Sequence, residues 1–219
     1  MNRALLKSNA KDSLKNHFGE AIAIFLISSA ITGVASFIIG FIFGMISAVL
    51  KLDTNSVGLL SDSVNGVVSI IINGFIALGL TSFYLKLSRN QEVEINELFS
   101  KTNMFGLYIV TTILIGLFTT LGFLLIIPGF IFSIALSQTY YILLDNPEID
   151  PMKAIKQSWE MMKGHKLEYL LLQMSFLGWI ILGIFTCGIL YLWLTPYMAV
   201  TNANFYNYIK NDYEQKNLG

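Results

Sequence analysis

The chain has 219 residues, 54% of them hydrophobic and only 13% charged, with 14 basic residues balanced by 14 acidic ones. A soluble domain carries about 25% charged residues, and a net charge of zero leaves no global basic field to attract nucleic acid. A single cysteine, Cys187, excludes an internal disulfide and any multi-cysteine metal site.

The charges are segregated. Residues 21–50, 63–85, 102–144 and 169–209 contain no Asp, Glu, Lys or Arg. Mostly apolar stretches of roughly 20 residues are long enough to cross a hydrocarbon core of about 30 Å. The expected fold class is all-α. It is a polytopic membrane protein, a single integral membrane domain over 1–219, with six transmembrane helices as three hairpins. Each hairpin is preceded by a cytoplasmic amphipathic interfacial helix.

In residues 3–17, Arg3, Lys7, Lys11 and Lys15 recur every fourth position and stack on one helix face, with Leu6, Ala10 and Leu14 on another. This pattern suits a helix lying on an anionic leaflet; a solvated basic tail is the alternative. The first span, 21–50, is about twice as long as a signal-peptide core and reads as retained. It is also longer than the hydrocarbon is thick, so it must tilt or project. Ser36, Gly40, Gly44 and Ala48 form a small-residue stripe of the kind that lets helices approach closely. A polar loop over 51–63 leads to the second span, 64–85, where Ser69, Asn73 and Ala77 share a face.

The loop 86–103 holds Lys86, Arg89 and Lys101, and Ile95, Leu98 and Phe99 mark a short interfacial helix over about 95–101. The third span is 104–126, and Pro128-Gly129 permits a reversal into the fourth, 129–144. Asp145–Lys166 is the longest water-compatible run between spans. Asp150 suits an N-cap, Pro151 the first helical position and Gly164 the stop, giving an interfacial helix over 151–163. Its expected apolar face is Met152, Ile155, Trp159 and Met162, and its polar face includes Lys153, Lys156 and Lys163. The fifth span is 168–186. The sixth, 190–209, contains Pro196 and a polar later half with Thr201, Asn202, Asn204 and Asn207.

Thirteen of the 14 Lys and Arg lie in the N-terminal segment, the loops 86–103 and 145–166, and the C-terminal tail; Lys51 is the exception. The positive-inside rule therefore places both termini and both long loops in the cytoplasm. A short recurrence supports three modules: Lys15-Asn16-His17-Phe18, Lys101-Thr102-Asn103-Met104-Phe105 and Lys163-Gly164-His165-Lys166 each open a hairpin. Duplication and convergent interface chemistry explain it about equally well.

Three constellations bear on chemistry. His17 with Glu20, and His165 with Glu168, are His-x-x-Glu pairs that share a helix face, and two such pairs could bind a divalent metal. The blander reading, which we favour, is a span start with Glu at a helix N-terminus. Asn73, Gln138, Gln173, Asn202 and Asn204 could line a polar substrate pathway, or could simply hydrogen-bond neighbouring helices. Span charges are absent, which favours the structural role. Cys187 reads as a buried, inert thiol near the outer face. Ser158 has no His or Asp at recognisable spacing, so no nucleophilic triad is visible. No cofactor motif is present.

Asp145-Asn146-Pro147-Glu148-Ile149, Ala154, Ser158 and Met161-Met162-Lys163-Gly164 resemble the signature of integral membrane proteins of Gram-positive bacteria grouped as domain of unknown function 975. The similarity continues through Phe176-Leu177-Gly178-Trp179, Trp193, Pro196-Tyr197 and Phe205-Tyr206. It also includes Leu6-Lys7, Ala10-Lys11 and Leu14-Lys15 near the start. The resemblance implies a six-span protein of the bacterial cytoplasmic membrane and supplies no activity. The first functional expectation is a non-enzymatic accessory, envelope-stress or immunity-type factor. Its partners would be a bilayer with anionic headgroups and another membrane protein or itself, with no nucleic acid. The second is a small transporter or lipid-handling protein that uses the Pro128 and Pro196 breaks. The third is an interfacial metal-dependent membrane enzyme.

Overall fold

The computed structural model describes residues 2–51 and 53–218, and among these the regular structure is entirely helical. The helices are α1 (Arg3–Leu14), α2 (Phe18–Leu50), α3 (Thr54–Ser88), α4 (Phe105–Phe123), α5 (Ile127–Ala135), α6 (Thr139–Asp145), α7 (Pro151–Met161), α8 (Lys166–Met174), α9 (Leu177–Phe185) and α10 (Tyr191–Leu218). The helix over 151–163 forms as its sequence dictates. The Asp150 carboxylate accepts from the Met152 and Lys153 amides, Pro151 opens the first turn, and Gly164 at φ +85° lies just beyond the end. Such a cap stabilises a helix by about 1 kcal/mol.

The core sits at one end of the molecule. It is built from the second half of α3 and the stretch of α10 from Leu194 to Ile209, with α1, α6, α7 and α8 around them. Phe83, Leu87, Leu98, Ile142, Leu143, Met162, Phe176, Phe205, Tyr206 and Ile209 are essentially inaccessible. The other end is open. Phe37 is 73% exposed on α2, Leu59 72% on α3 and Leu124 78% after α4. Among the described residues, five stretches are long and apolar enough to cross a membrane: Phe18–Leu50, Asn55–Ser88, Ile95–Phe123, Ile127–Asp145 and Lys166–Phe185.

The structure differs from the sequence reading in several places. The sixth expected span falls in α10, which is not one of the five. Its stretch from Val200 to Ile209 mixes amides with aromatics and forms the protein core. The expected polar loop 51–63 is mostly helix. Asp53 caps α3 by accepting from the Ser56 amide, and Lys51 takes the left-handed conformation at the end of α2. The expected helix at 95–101 is a 3₁₀ turn, Ile95–Phe99, with only Leu98 buried. It approaches α3 where Gly79 has no side chain, and a Cβ there would strike the Leu98 carbonyl.

The reversal expected at Pro128-Gly129 occurs earlier. The Ile127 amide donates to the Leu125 carbonyl across Ile126 at φ 56° and ψ −68°, a strained γ-turn, and Pro128 lies in the first turn of α5. Within the described chain Gly40 and Gly44 of the small-residue stripe on α2 pack against nothing: a Cβ at either would meet open space. The fourth and fifth expected spans are each broken, into α5 and α6 at Leu136–Gln138 and into α8 and α9 at Ser175–Phe176.

Candidate functional site

Helix α1 does not stand apart from the bundle. Leu6, Ala10 and Leu14 are buried on one face. The helix runs antiparallel to α10. The Asn204 amide donates to the Leu6 carbonyl, the Lys11 ammonium stands 5.8 Å from the Tyr197 ring, and Lys15 shares a cavity with Trp193. It also follows α8: Arg3 donates to the Leu171 carbonyl and Lys7 to that of Ser175. Lys7 lies 3.9 Å from the Phe176 ring centre. Burial there, with the charges of Arg3 and Lys11 adding, holds the Lys7 ammonium below its usual pKa. The apolar face of α1 is therefore spent on protein, not on lipid, because α10 offers a closer apolar surface.

The strongest electrostatic feature joins three chain segments. Asp145, at the end of α6, accepts both Arg89 Nη1 and Nη2 at 2.8 Å, the Tyr206 hydroxyl at 2.9 Å and Lys210 Nζ at 2.6 Å. Arg89 Nε also donates to Asn207, which donates in turn to Ser88. The Asp145 hydrogen bond raises the Arg89 pKa against the opposing effect of burial. Sequence reasoning did not pair these residues. The available signal was positional: Arg89, Asp145 and Lys210 each stand at or just beyond the end of a charge-free run, at one expected membrane boundary. A second cluster fixes the 86–103 loop, where Glu97 accepts from Ser82, Lys86 and Ser100.

The five amides do not converge on one site, although two of them pair. Gln173 donates to Asn202 at 2.7 Å, and the Tyr169 hydroxyl hydrogen-bonds Ser137 and Gln173. Gln138 donates to Ser137 at 2.7 Å, while its carbonyl oxygen is buried without a partner. These four polar groups and Gln138 bridge α8 and α10 to the α5–α6 break. Interhelical bonds of this kind contribute about 0.6 kcal/mol each. Asn204 pins α1, as described. Asn73 donates to the Ser69 carbonyl of its own helix and faces a groove of ≈ 500 Å³ between α2 and α3, with Ser28, Thr32 and Ser36 opposite. Thr201 bonds back to the Tyr197 carbonyl and is buried, so the polar later half of the sixth segment is packed within protein.

The two His-x-x-Glu pairs are not brought together. His17 stands 3.8 Å from Glu20 and lines a cleft with Asn90 and Glu92. His165 uses both ring nitrogens, bonding Glu168 at 2.7 Å and Asp212 at 2.9 Å, so α8 is tied to the tail of α10. Among the described residues no group of three or more His, Cys, Asp and Glu is arranged to hold a metal ion. His17 with Glu20 and His165 with Glu168 thus form two separate local pairs, at the starts of α2 and α8. Ser158 is fully buried and donates to the Ala135 carbonyl at 2.8 Å, closing the open end of α5. The inward face of α7 is thus Ala154, Ile155, Ser158 and Met161, with Met162 just past its end. Met152 is exposed instead. Trp159 lies against Phe132 at 5.2 Å and under Lys166 Nζ at 4.0 Å. Lys153, Lys156 and Lys163 are exposed, and so is Cys187, against the expectation of a buried thiol, because it sits in the turn between α9 and α10.

An apolar cavity of ≈ 480 Å³ opens beside the α9–α10 turn. Trp179, Trp193, Tyr197 and Phe18 form its walls, and Lys11 and Lys15 of α1 stand at its rim.

No curated protein and no solved structure matches the chain. The family described as "Protein of unknown function (DUF975)" matches over residues 1–130 and again over 123–213. These two stretches take in α1 through most of α10, and the chain therefore belongs to that family.

Proposed function

We propose that the chain is a multi-pass protein of a Gram-positive bacterial cytoplasmic membrane that acts without catalysis, by binding membrane lipid or another membrane protein. Its six apolar segments pair as three hairpins, with both termini cytoplasmic. The observation that carries the reading is the joining of α1 to α10. Termini held against each other require an even number of crossings. Basic residues of α1, of the loop after α3 and of the tail converge at that end, as the positive-inside rule asks. Lys51 stands at the opposite end of α2, about 50 Å away at 1.5 Å per residue.

The polar groups inside the bundle favour interaction over transport, since they bond one another and carry no span charge. Purified protein in liposomes tests this. The reading expects neither solute uptake nor lipid scrambling above protein-free vesicles. Activity abolished by Asn73→Ala or Gln138→Ala would establish the transport alternative.

One observation favours a variant topology for the third hairpin. Trp179 shares a cavity with Lys15 and stands only nine positions before Gly188 in the turn. That is about 14 Å of helix, half of a hydrocarbon core of about 30 Å. A lysine at headgroup level then leaves the α9–α10 turn inside the bilayer, entering and leaving by one leaflet. The lone Cys187 reports on it directly. A membrane-impermeant maleimide added outside intact cells labels a crossing hairpin and leaves a re-entrant one unlabelled.

A further inference from the structure

We propose that the cavity between α1 and the α9–α10 pair is a binding site for one anionic phospholipid, with the phosphate between Lys11 and Lys15 and an acyl chain along Trp179 and Trp193. The proposal rests on the membrane reading above and names the ligand within it.

Charge selects the class. Lys11 and Lys15 are one turn apart on the exposed side of α1, and among the described residues neither forms an ion pair. The other basic residues of α1 are differently employed: Arg3 and Lys7 donate to backbone carbonyls of α8 and its end. Two ammonium groups at one rim bind a phosphodiester, and their flexible stems let them track it at headgroup depth. Asp12 also lines the rim, which leaves the site with a net charge of +1. A singly charged headgroup fits that balance, and hydroxyls on it would donate to Asp12. Phosphatidylglycerol has both properties.

The walls select a lipid over a free anion. Beyond the lysines the cavity is aromatic and aliphatic, with Trp179 52% and Trp193 48% exposed. Both indoles face outward, next to the apolar turn that ends at Ile184 and Phe185. Trp at the boundary between polar and apolar zones is an interface residue in membrane proteins. A hydrated phosphate gains nothing from such a surface, whereas an acyl chain buries it.

Tryptophan quenching by brominated lipid tests the site. The full chain with Trp159→Phe, so that only Trp179 and Trp193 emit, is reconstituted in vesicles of phosphatidylcholine containing phosphatidylglycerol as the minor component. One lipid or the other carries bromine at the same mole fraction. An anionic surface favours each nearby lysine by roughly fivefold. Brominated phosphatidylglycerol is therefore expected to quench several-fold more than brominated phosphatidylcholine. The pair Lys11→Gln and Lys15→Gln abolishes the difference, and Lys11→Arg with Lys15→Arg retains it. Equal quenching by the two lipids with both lysines present overturns the proposal and needs no variant of α1 to fold. Loss of the difference on adding inorganic phosphate also overturns it, in favour of a free-anion site. Resistance of the chain to alkaline extraction from the vesicles reports separately on the membrane reading.

Discussion

Replacing Asp145 with alanine removes the acceptor of four hydrogen bonds, two from Arg89 and one each from Tyr206 and Lys210. Two cations are then left facing each other across an emptied site. The Asp145 side chain is 8% exposed, and those of Arg89 and Lys210 are 29% and 31% exposed. Breaking a fully buried ion pair costs about 3–5 kcal/mol. Partial hydration of both cations lowers that, so about 2–3 kcal/mol is expected here. For a chain of this length 1 kcal/mol moves Tm by about 2–4 °C, which gives a fall of roughly 5–10 °C. Thermal unfolding of the detergent-solubilised protein, followed by far-UV circular dichroism, measures it. Asp145→Asn keeps an acceptor for Arg89 and is expected to lose less. Combining Asp145→Ala with Arg89→Met and Lys210→Met removes the stranded charges and recovers part of the loss. A fall below about 2 °C for Asp145→Ala would refute the reasoning, because the cluster would then be a surface pairing worth at most about 1 kcal/mol.

Gly79→Ala places a methyl group against the Leu98 carbonyl and is expected to lower Tm and expose the 86–103 loop to limited proteolysis; an unchanged digestion pattern would contradict the close approach. Ile126→Gly relieves a β-branched residue at φ 56° and is expected to raise stability by about 1 kcal/mol in the same unfolding assay. The Lys216 and His165 hydrogen bonds, in that order, hold the Asp212 carboxyl below its usual pKa. Its contribution is thus present above the ordinary carboxylate value and lost as pH falls through the lower folded one. Hydrogen exchange at the end of α10 is expected to accelerate below about pH 4 and to lose that dependence in Asp212→Asn.

Charge-free runs and helix punctuation carried most of the fold. The cap at Asp150, the start at Pro151 and the stop at Gly164 were legible because each rests on one residue's own backbone chemistry. The alternating distribution of Lys and Arg was legible for the same reason, since each counts without reference to a partner. What failed depended on neighbours. Leu6, Ala10 and Leu14 announce an apolar face, but only the tertiary fold decides whether protein or lipid covers it. Met152 was expected inward and is exposed, while Ser158 turns inward to the Ala135 carbonyl, 23 residues away. The polarity of the later half of the sixth segment signals nothing of the packing around it, yet Thr201, Ala203, Phe205 and Tyr206 are buried in the core. The Arg89–Asp145–Lys210 cluster was the least accessible feature, since its members lie 56 and 65 residues apart along the chain.

The arrangement of the termini is the claim on which the rest depends. Reporter fusions that are active on only one side of the membrane, placed at Ser56 and at Gly164, test it directly. The account predicts an external reporter at Ser56, in the first turn of α3, and a cytoplasmic one at Gly164, just past α7. A cytoplasmic Ser56 with an external Gly164 would contradict it.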